Sequence, residues 1–188
     1  MVNQGLVQPS FARAVDVVRW LGAVQSQDIE GAKWALAQRA QGLTHADIQA
    51  AYDRGDILRL HLMRPTWHFA DPADVRWILG LTAQRLNRKM STYDRRLELD
   101  ETVYKRSNAV IRAALEGGKQ LTRQELAVDL RKAGIDPGSV QRLAHLMMRA
   151  EQDGIICSGA RRGKQFPYAL LDERVTKSLK FEGESALA

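Results

Sequence analysis

The stretch "DILRLHLMRPTWHFAD", Asp56–Asp71, decides the fold. Leu58, Leu60 and Leu62 alternate with Arg59 and His61, the period of two that marks a half-buried β-strand. Pro65 breaks the run, and Thr66–Ala70 can return as a second strand. Alternation there places Trp67 and Phe69 on one face and His68 on the other, toward Arg64 or solvent. What precedes is helical. Ser10 can cap a helix in which Phe11, Val15, Val18, Leu21 and Val24 recur at helical spacing. Asp28 can cap a second, running through Trp34 and Leu36 until Gly42 stops it. Thr44 opens a third, "THADIQAAYDRG", with Asp47 at capping-box spacing and Gly55 at its end. Three helices, then strand, turn and strand, is the order of a winged helix-turn-helix.

After the hairpin, Asp71 and Pro72 start a long helix with Val75, Ile78, Leu79, Thr82 and Leu86 on one face. The polar stretch Ser91–Asp100 reads as a connector. Beyond it the order repeats. "ETVYKRSNAVIRAALEGG" closes on Gly117 and Gly118, and Thr122 and Glu125 open the next helix at capping-box spacing. "DPGSVQRLAHLMMRAEQDG" follows, with Val140, Leu143, Leu146, Met147 and Ala150 expected inward. "IICSGARRGKQFPYALL" then gives two short strands around the tip "GARRGKQ". The pairs Leu43-Thr44 and Leu121-Thr122 mark a pseudo-repeat. The expected fold is mostly α with short β-hairpins, as tandem winged helix-turn-helix units. Residues 1–90 form the first unit plus a long connecting helix, 91–100 a connector, 101–172 the second unit and 173–188 a polar tail.

At 188 residues the chain is one large domain or two small ones. It is 45% hydrophobic and 27% charged, with no apolar run near the ~20 residues of a membrane span. The start "MVNQGLVQPS" has no basic segment followed by an apolar core, so it is no secretory signal. A single cysteine, Cys157, excludes an internal disulfide and suits a reducing cytoplasm. With four scattered histidines it lacks zinc-ligand spacing, so no metal or cofactor is expected. The net charge of +6 and pI near 9.7 favour a polyanionic partner such as nucleic acid.

Basic residues fall in two places. Arg161, Arg162 and Lys164 surround Gly163 at the second hairpin tip, where glycine lets a turn approach backbone phosphates closely. Arg85, Arg88 and Lys89 share one helix face, followed by Arg95, Arg96, Lys105 and Arg106. The plainer reading of this second group is a wet face paired with Asp94, Glu98, Asp100 and Glu101. The segment "LGAVQSQDIEGAKWAL", Leu21–Leu36, sets Gln25 and Gln27 between two helices. On a helix, positions two apart diverge by about 200°. The pair can act together only if the helix breaks between Val24 and Asp28. Otherwise one amide caps the helix end and the other faces water.

"LGAVQSQDIEGAKWAL", then "RGDILRLHLMRPTWHF" and "DPADVRWIL", closely resembles the bacterial winged-helix DNA-binding family that includes the azinomycin-resistance and interstrand-crosslink-unhooking DNA glycosylases. The resemblance runs over essentially the whole chain and covers about the first half of a usual family member. It implies a tandem winged-helix scaffold on double-stranded DNA; because neither candidate recognition helix looks like a strong base reader, binding is expected to be directed by lesion or structure rather than by sequence. It also implies that Gln25 and Gln27 position a water for attack at the anomeric carbon of an alkylated purine nucleotide. Asp28, Arg64 and His68 would lie near the same surface. The chain would then be a monofunctional glycosylase, cytoplasmic and nucleoid-associated, once the family's C-terminal half is supplied. Ser26 departs from the pattern, since that middle residue is usually apolar in the characterised enzymes. The alternative is a non-enzymatic transcription regulator or architectural factor. In it, Gln141, Arg142, His145 and Arg149, or the helix "THADIQAAYD", would enter the major groove. A third possibility is a module that holds protein partners.

Overall fold

In the computed structural model, which describes residues 4–7 and 9–178, the first helix is shorter than its apolar spacing suggests. Helix α1 spans Ala14–Leu21 with Arg13, not Ser10, at its N-cap and no side-chain cap. Gly22 takes φ 75°, a left-handed geometry that stops the helix. Val24, expected on the helix face, instead lies in strand β1, Val24–Gln25. Helix α2, Ile29–Ala37, starts under the Asp28 carboxylate, which accepts the Gly31 N–H at 3.1 Å, and it ends five residues before Gly42. Helix α3, His45–Arg54, carries the full Thr44–Asp47 capping box and stops at Gly55.

Strands β2, Leu58–Arg64, and β3, Thr66–Ala70, form the antiparallel hairpin around Pro65. β1 joins the free side of β3, giving the order β1-β3-β2. β2 is not half-buried as its alternation suggests, since every residue from Leu58 to Leu62 is buried. The cause is a long-range cover. Arg59 N–H donates to Ser158 Oγ at 2.9 Å and His61 N–H to Glu151 Oε2 at 3.2 Å, so the second half of the chain closes the strand's outer edge.

Helix α4, Val75–Arg96, runs six residues into the expected connector. From Leu81 to Asp100 there is no Gly or Pro, so polar side chains alone do not break it. α5 spans Glu101–Leu115 under Asp100, α6 spans Arg123–Lys132 under the Thr122–Glu125 box, and α7 spans Val140–Gln152 under Ser139. Val140, expected inward, is 78% exposed because the buried stripe of α7 begins farther along, at Leu146. β4, Ile156–Ser158, pairs with β5, Tyr168–Leu170, and the short α8 spans Leu171–Arg174. Leu171 and Val175 are buried, so the chain stays packed past residue 173. The expected tail from 179 onward lies outside the described residues.

The core has three parts. One lies among α1, α2, α3 and β3, and another among α5, α6, α7 and the second hairpin. Between them, Leu58, Leu60 and Leu62 meet α4 together with Cys157, Leu171 and Val175. This middle cluster joins the halves through apolar burial, the dominant favourable term in folding.

Candidate functional site

Because α1 ends at Leu21, residues 24–26 run extended along β3, with Val24 opposite Phe69, Gln25 opposite His68, and Ser26 N–H donating to the Trp67 carbonyl at 2.8 Å. Extended backbone sends alternate side chains to opposite faces. Ser26 is buried, while Gln25 and Gln27 emerge on one exposed side. Arg64 Nη2 donates to Gln25 Oε1 at 2.9 Å, so the hairpin tip orients the first amide. Gln27 Oε1 accepts the Trp67 N–H over a longer 3.4 Å. Of the other expected neighbours, Asp28 uses its carboxylate to cap α2, and His68 is buried beneath Gln25 rather than turned to solvent. Burial pushes the His68 imidazole below its ordinary value, partly offset by a hydrogen bond with the Thr66 backbone, and this favours the neutral ring.

On the opposite face of the sheet sit three residues whose role the alternation hides. Arg59 donates from Nε and Nη2 to the Ser26 carbonyl, at 3.1 and 2.9 Å, and lies 4.4 Å over the Trp67 ring. The His61 imidazole is 4.5 Å from Trp67 and bonds the buried Glu151 through Nδ1. Arg59 thus grips the backbone between the two glutamines from behind. The sequence offers little signal for this arrangement: Glu151 and Gln152 end α7 two residues after Arg149, and only the structure shows both of them buried.

The expected DNA-facing cations divide into two groups. Arg85, Arg88, Lys89, Arg95 and Arg96 are exposed on α4. Three of the four carboxylates nearby are engaged elsewhere: Asp94 pairs with His145 at 2.7 Å, Asp100 caps α5, and Glu101 pairs with Arg149 at 2.8 Å. At the second hairpin tip, by contrast, Arg161 pairs with Glu30 at 2.8 Å and Arg162 with Glu125 at 2.6 Å. Hydrogen bonds from His45, then Arg161 and Lys33, hold the Glu30 carboxyl down at about 2 despite partial burial. Lys164 is exposed at the same tip. Arg142, expected at DNA, donates instead to the carbonyls of Leu97, Glu98 and Asp136, tying the end of α4 to the start of α7. Three of the four candidate base readers on α7, Arg142, His145 and Arg149, are therefore bonded within the molecule. Among the described residues, no group of three His, Cys, Asp or Glu is placed to hold a metal ion.

This mostly helical scaffold with small antiparallel sheets is one used by DNA glycosylases. Residues 18–186 match the family model described as "DNA glycosylase AlkZ-like", and the chain belongs to that family. Its fold is similar to that of the solved Streptomyces sahachiroi DNA glycosylase AlkZ, with a TM-score of 0.81 at 20% identity. That match covers 99% of this chain and 52% of the Streptomyces protein, so the chain spans about half the length of that relative. No curated protein matched.

Proposed function

We propose that this chain carries the DNA-binding and water-positioning part of a DNA-repair glycosylase that hydrolyses the N-glycosidic bond of alkylated purines. The observation that carries the reading is the pair Gln25 and Gln27, side by side on one extended segment, with Arg64 bonded to the first. An N7-alkylated purine already bears positive charge and leaves readily, so little acid catalysis is needed. Two amides can give and accept hydrogen bonds without titrating, and a water fixed near the anomeric carbon gains from proximity. With Oε1 of Gln25 engaged by Arg64, its amide N–H groups remain to donate. His68, kept neutral under Gln25, and Asp28, held at the start of α2, support the segment rather than exchange protons.

In this reading the two units, three helices and a hairpin each, act as tandem winged helices on duplex DNA. Arg85, Arg88, Lys89, Arg95 and Arg96 on α4 meet phosphates. Lys164 joins them, and Arg161 and Arg162 do so by exchanging their carboxylate partners for phosphates. The protein would work at the nucleoid in the cytoplasm. No helix among the described residues is long and apolar enough to cross a membrane. Sequence-specific reading by α7 is disfavoured, because Arg142, His145 and Arg149 are engaged inside the molecule.

The test is release of N7-methylguanine from methylated duplex DNA. Wild type releases the base, and Gln25→Ala and Gln27→Ala each slow release by about 100-fold, the cost of losing one positioned polar group, with DNA affinity unchanged. Undiminished release by both variants removes the glutamine mechanism. Salt-dependent DNA binding with no release, even when the family's C-terminal half is supplied, supports the non-enzymatic binder instead.

A further inference from the structure

We propose that Arg64 is a phosphate-operated gate on Gln25: on duplex DNA it exchanges the Gln25 oxygen for a backbone phosphate, and so frees that oxygen to hold the attacking water. The inference rests on the reading of Gln25 and Gln27 as the water-positioning pair.

The first observation is the reach of Arg64. It lies on β2, Gln25 lies on β1, and the order β1-β3-β2 puts β3 between them. The pairing of β2 with β3 slips between His61 and Arg64, an irregularity of the kind that re-aims a side chain. From the turn before Pro65 the long side chain crosses the end of β3 and donates to Gln25 Oε1 at 2.9 Å. Gln27 is held differently. Its Oε1 meets the Trp67 backbone N–H, which the sheet fixes in place. Of the two amides, only Gln25 is therefore held by a group able to leave.

The second is what a cation does at this point. A guanidinium only donates, so its bond turns Oε1 of Gln25 toward Arg64. In the hydrolysis the water oxygen bonds the anomeric carbon, the bond to the purine nitrogen breaks, its electron pair leaves with the base, and a water proton goes to solvent. That water must point its hydrogens at acceptors and keep a lone pair for the carbon. The Arg64 bond occupies one of the two lone pairs of Oε1 and draws charge from the other. An unpaired guanidinium also repels the positive charge that builds on the sugar in an oxocarbenium-like transition state. A phosphate on Arg64 removes both obstacles.

The third is availability. Arg64 is exposed, and among the described residues the bond to Gln25 is its only hydrogen bond and it makes no ion pair. A charge-assisted bond to phosphate is stronger than one to a neutral amide, and the planar guanidinium can take two phosphate oxygens at once. The exchange is therefore downhill once a backbone phosphate comes within reach. Arg64 is in this sense a positioning residue, acting on the water through Gln25.

The probe is a short undamaged duplex, bound by the 188-residue chain over a range of salt concentrations. Arg64→Met should lower the salt slope by about one counterion, and Arg64→Lys should keep it. In protein carrying ¹⁵N-glutamine, the Gln25 side-chain signal is identified by its loss in Gln25→Ala. Duplex should move that signal in wild type toward the position it already holds in Arg64→Met. Inorganic phosphate, at an equal concentration of phosphate groups, should not. With the family's C-terminal half supplied, Arg64→Met should lower kcat/KM on methylated duplex chiefly through KM, whereas Gln25→Ala acts on kcat. An unaltered salt slope in Arg64→Met overturns the proposal. So does a Gln25 signal that stays in place as duplex saturates the protein, or one that inorganic phosphate moves equally. A loss of kcat in Arg64→Met equal to that of Gln25→Ala also overturns it, because Arg64 would then be holding Gln25 during hydrolysis. Absence of base release, with slope and signal behaving as expected, sinks the hydrolytic reading and leaves the exchange of Arg64 onto phosphate standing.

Discussion

On one face of the sheet β1-β3-β2, Arg64 reaches a single glutamine oxygen at the surface. On the other, Arg59 is sunk between aromatic rings and spends two donors on the Ser26 carbonyl, while His61 locks onto Glu151. The same strands thus present loosely held amides outward and tightly held charge inward. The exposed amides keep unused hydrogen-bonding capacity, which a site that handles water needs. The inward groups leave little unused and fix the backbone from which the amides project. Stability and proposed function are divided between the two faces, and substitutions should separate them.

The largest stability loss is expected at Glu151. Glu151→Ala removes the acceptor of both the His61 imidazole and the His61 backbone N–H, leaving two buried donors unpaired. The cost should be about 3 kcal/mol in urea unfolding, with Glu151→Gln losing much less. A loss below about 1 kcal/mol would show that the inner face does not hold the halves together.

Arg59→Met comes next. It keeps the alkyl length but removes both bonds to Ser26 and the stack on Trp67. A loss of about 2 kcal/mol is expected. The more telling readout is hydrogen exchange at the Ser26 amide, which now bonds the Trp67 carbonyl. Faster exchange there, with β2 amides unchanged, would place the effect on the strand that carries the glutamines. Uniform acceleration would mean only general destabilisation.

This division was only partly legible in the sequence. The caps at Asp28, Thr44 and Thr122 and the break at Pro65 are local signals, and each sits within a few residues of the element it ends or begins. The helix break that brings Gln25 and Gln27 to one side was legible only as a condition, because the apolar spacing carried the helix through Val24 while Gly22 in fact stops it. What could not be read was the cover on β2. Its partners Glu151 and Ser158 lie 90 and 99 residues away, so Arg59 and His61 looked like the wet side of a half-buried strand. The neutralised tip was hidden for the same reason, since Glu30 is 131 residues from Arg161. Polar composition misled at 91–96, where an exposed helix face resembles a loop unless Gly or Pro interrupts it.

His68 sharpens the comparison, being a buried group beneath the exposed pair. The unfolded chain protonates this histidine near its ordinary 6.5, while burial keeps the folded ring neutral to lower pH. Its contribution to stability is therefore complete above pH 6.5 and is lost as pH falls below that value toward the folded-state pKa. Urea midpoints measured at pH 7.5, 6.5 and 5.5 should decline across this interval, and His68→Gln should flatten the decline. An unchanged slope in the variant would assign the pH dependence to other groups.

The smallest stability effect belongs to the second hairpin tip. Arg162 and Glu125 are both about half exposed, and a surface pair of this kind contributes only about 0.2–1 kcal/mol. Arg162→Ala should therefore barely shift the unfolding midpoint. Glu125→Gln should also fold normally, because a glutamine oxygen can still accept from Thr122 in the capping box. Their effects on DNA should be opposite. Removing the Glu125 charge frees Arg162 for phosphate, so Glu125→Gln should tighten duplex binding and steepen its salt dependence by about one counterion, while Arg162→Ala should do the reverse. If neither variant alters the salt slope, the tip arginines are structural ties like Arg59, and phosphate contact is left to the exposed cations of α4.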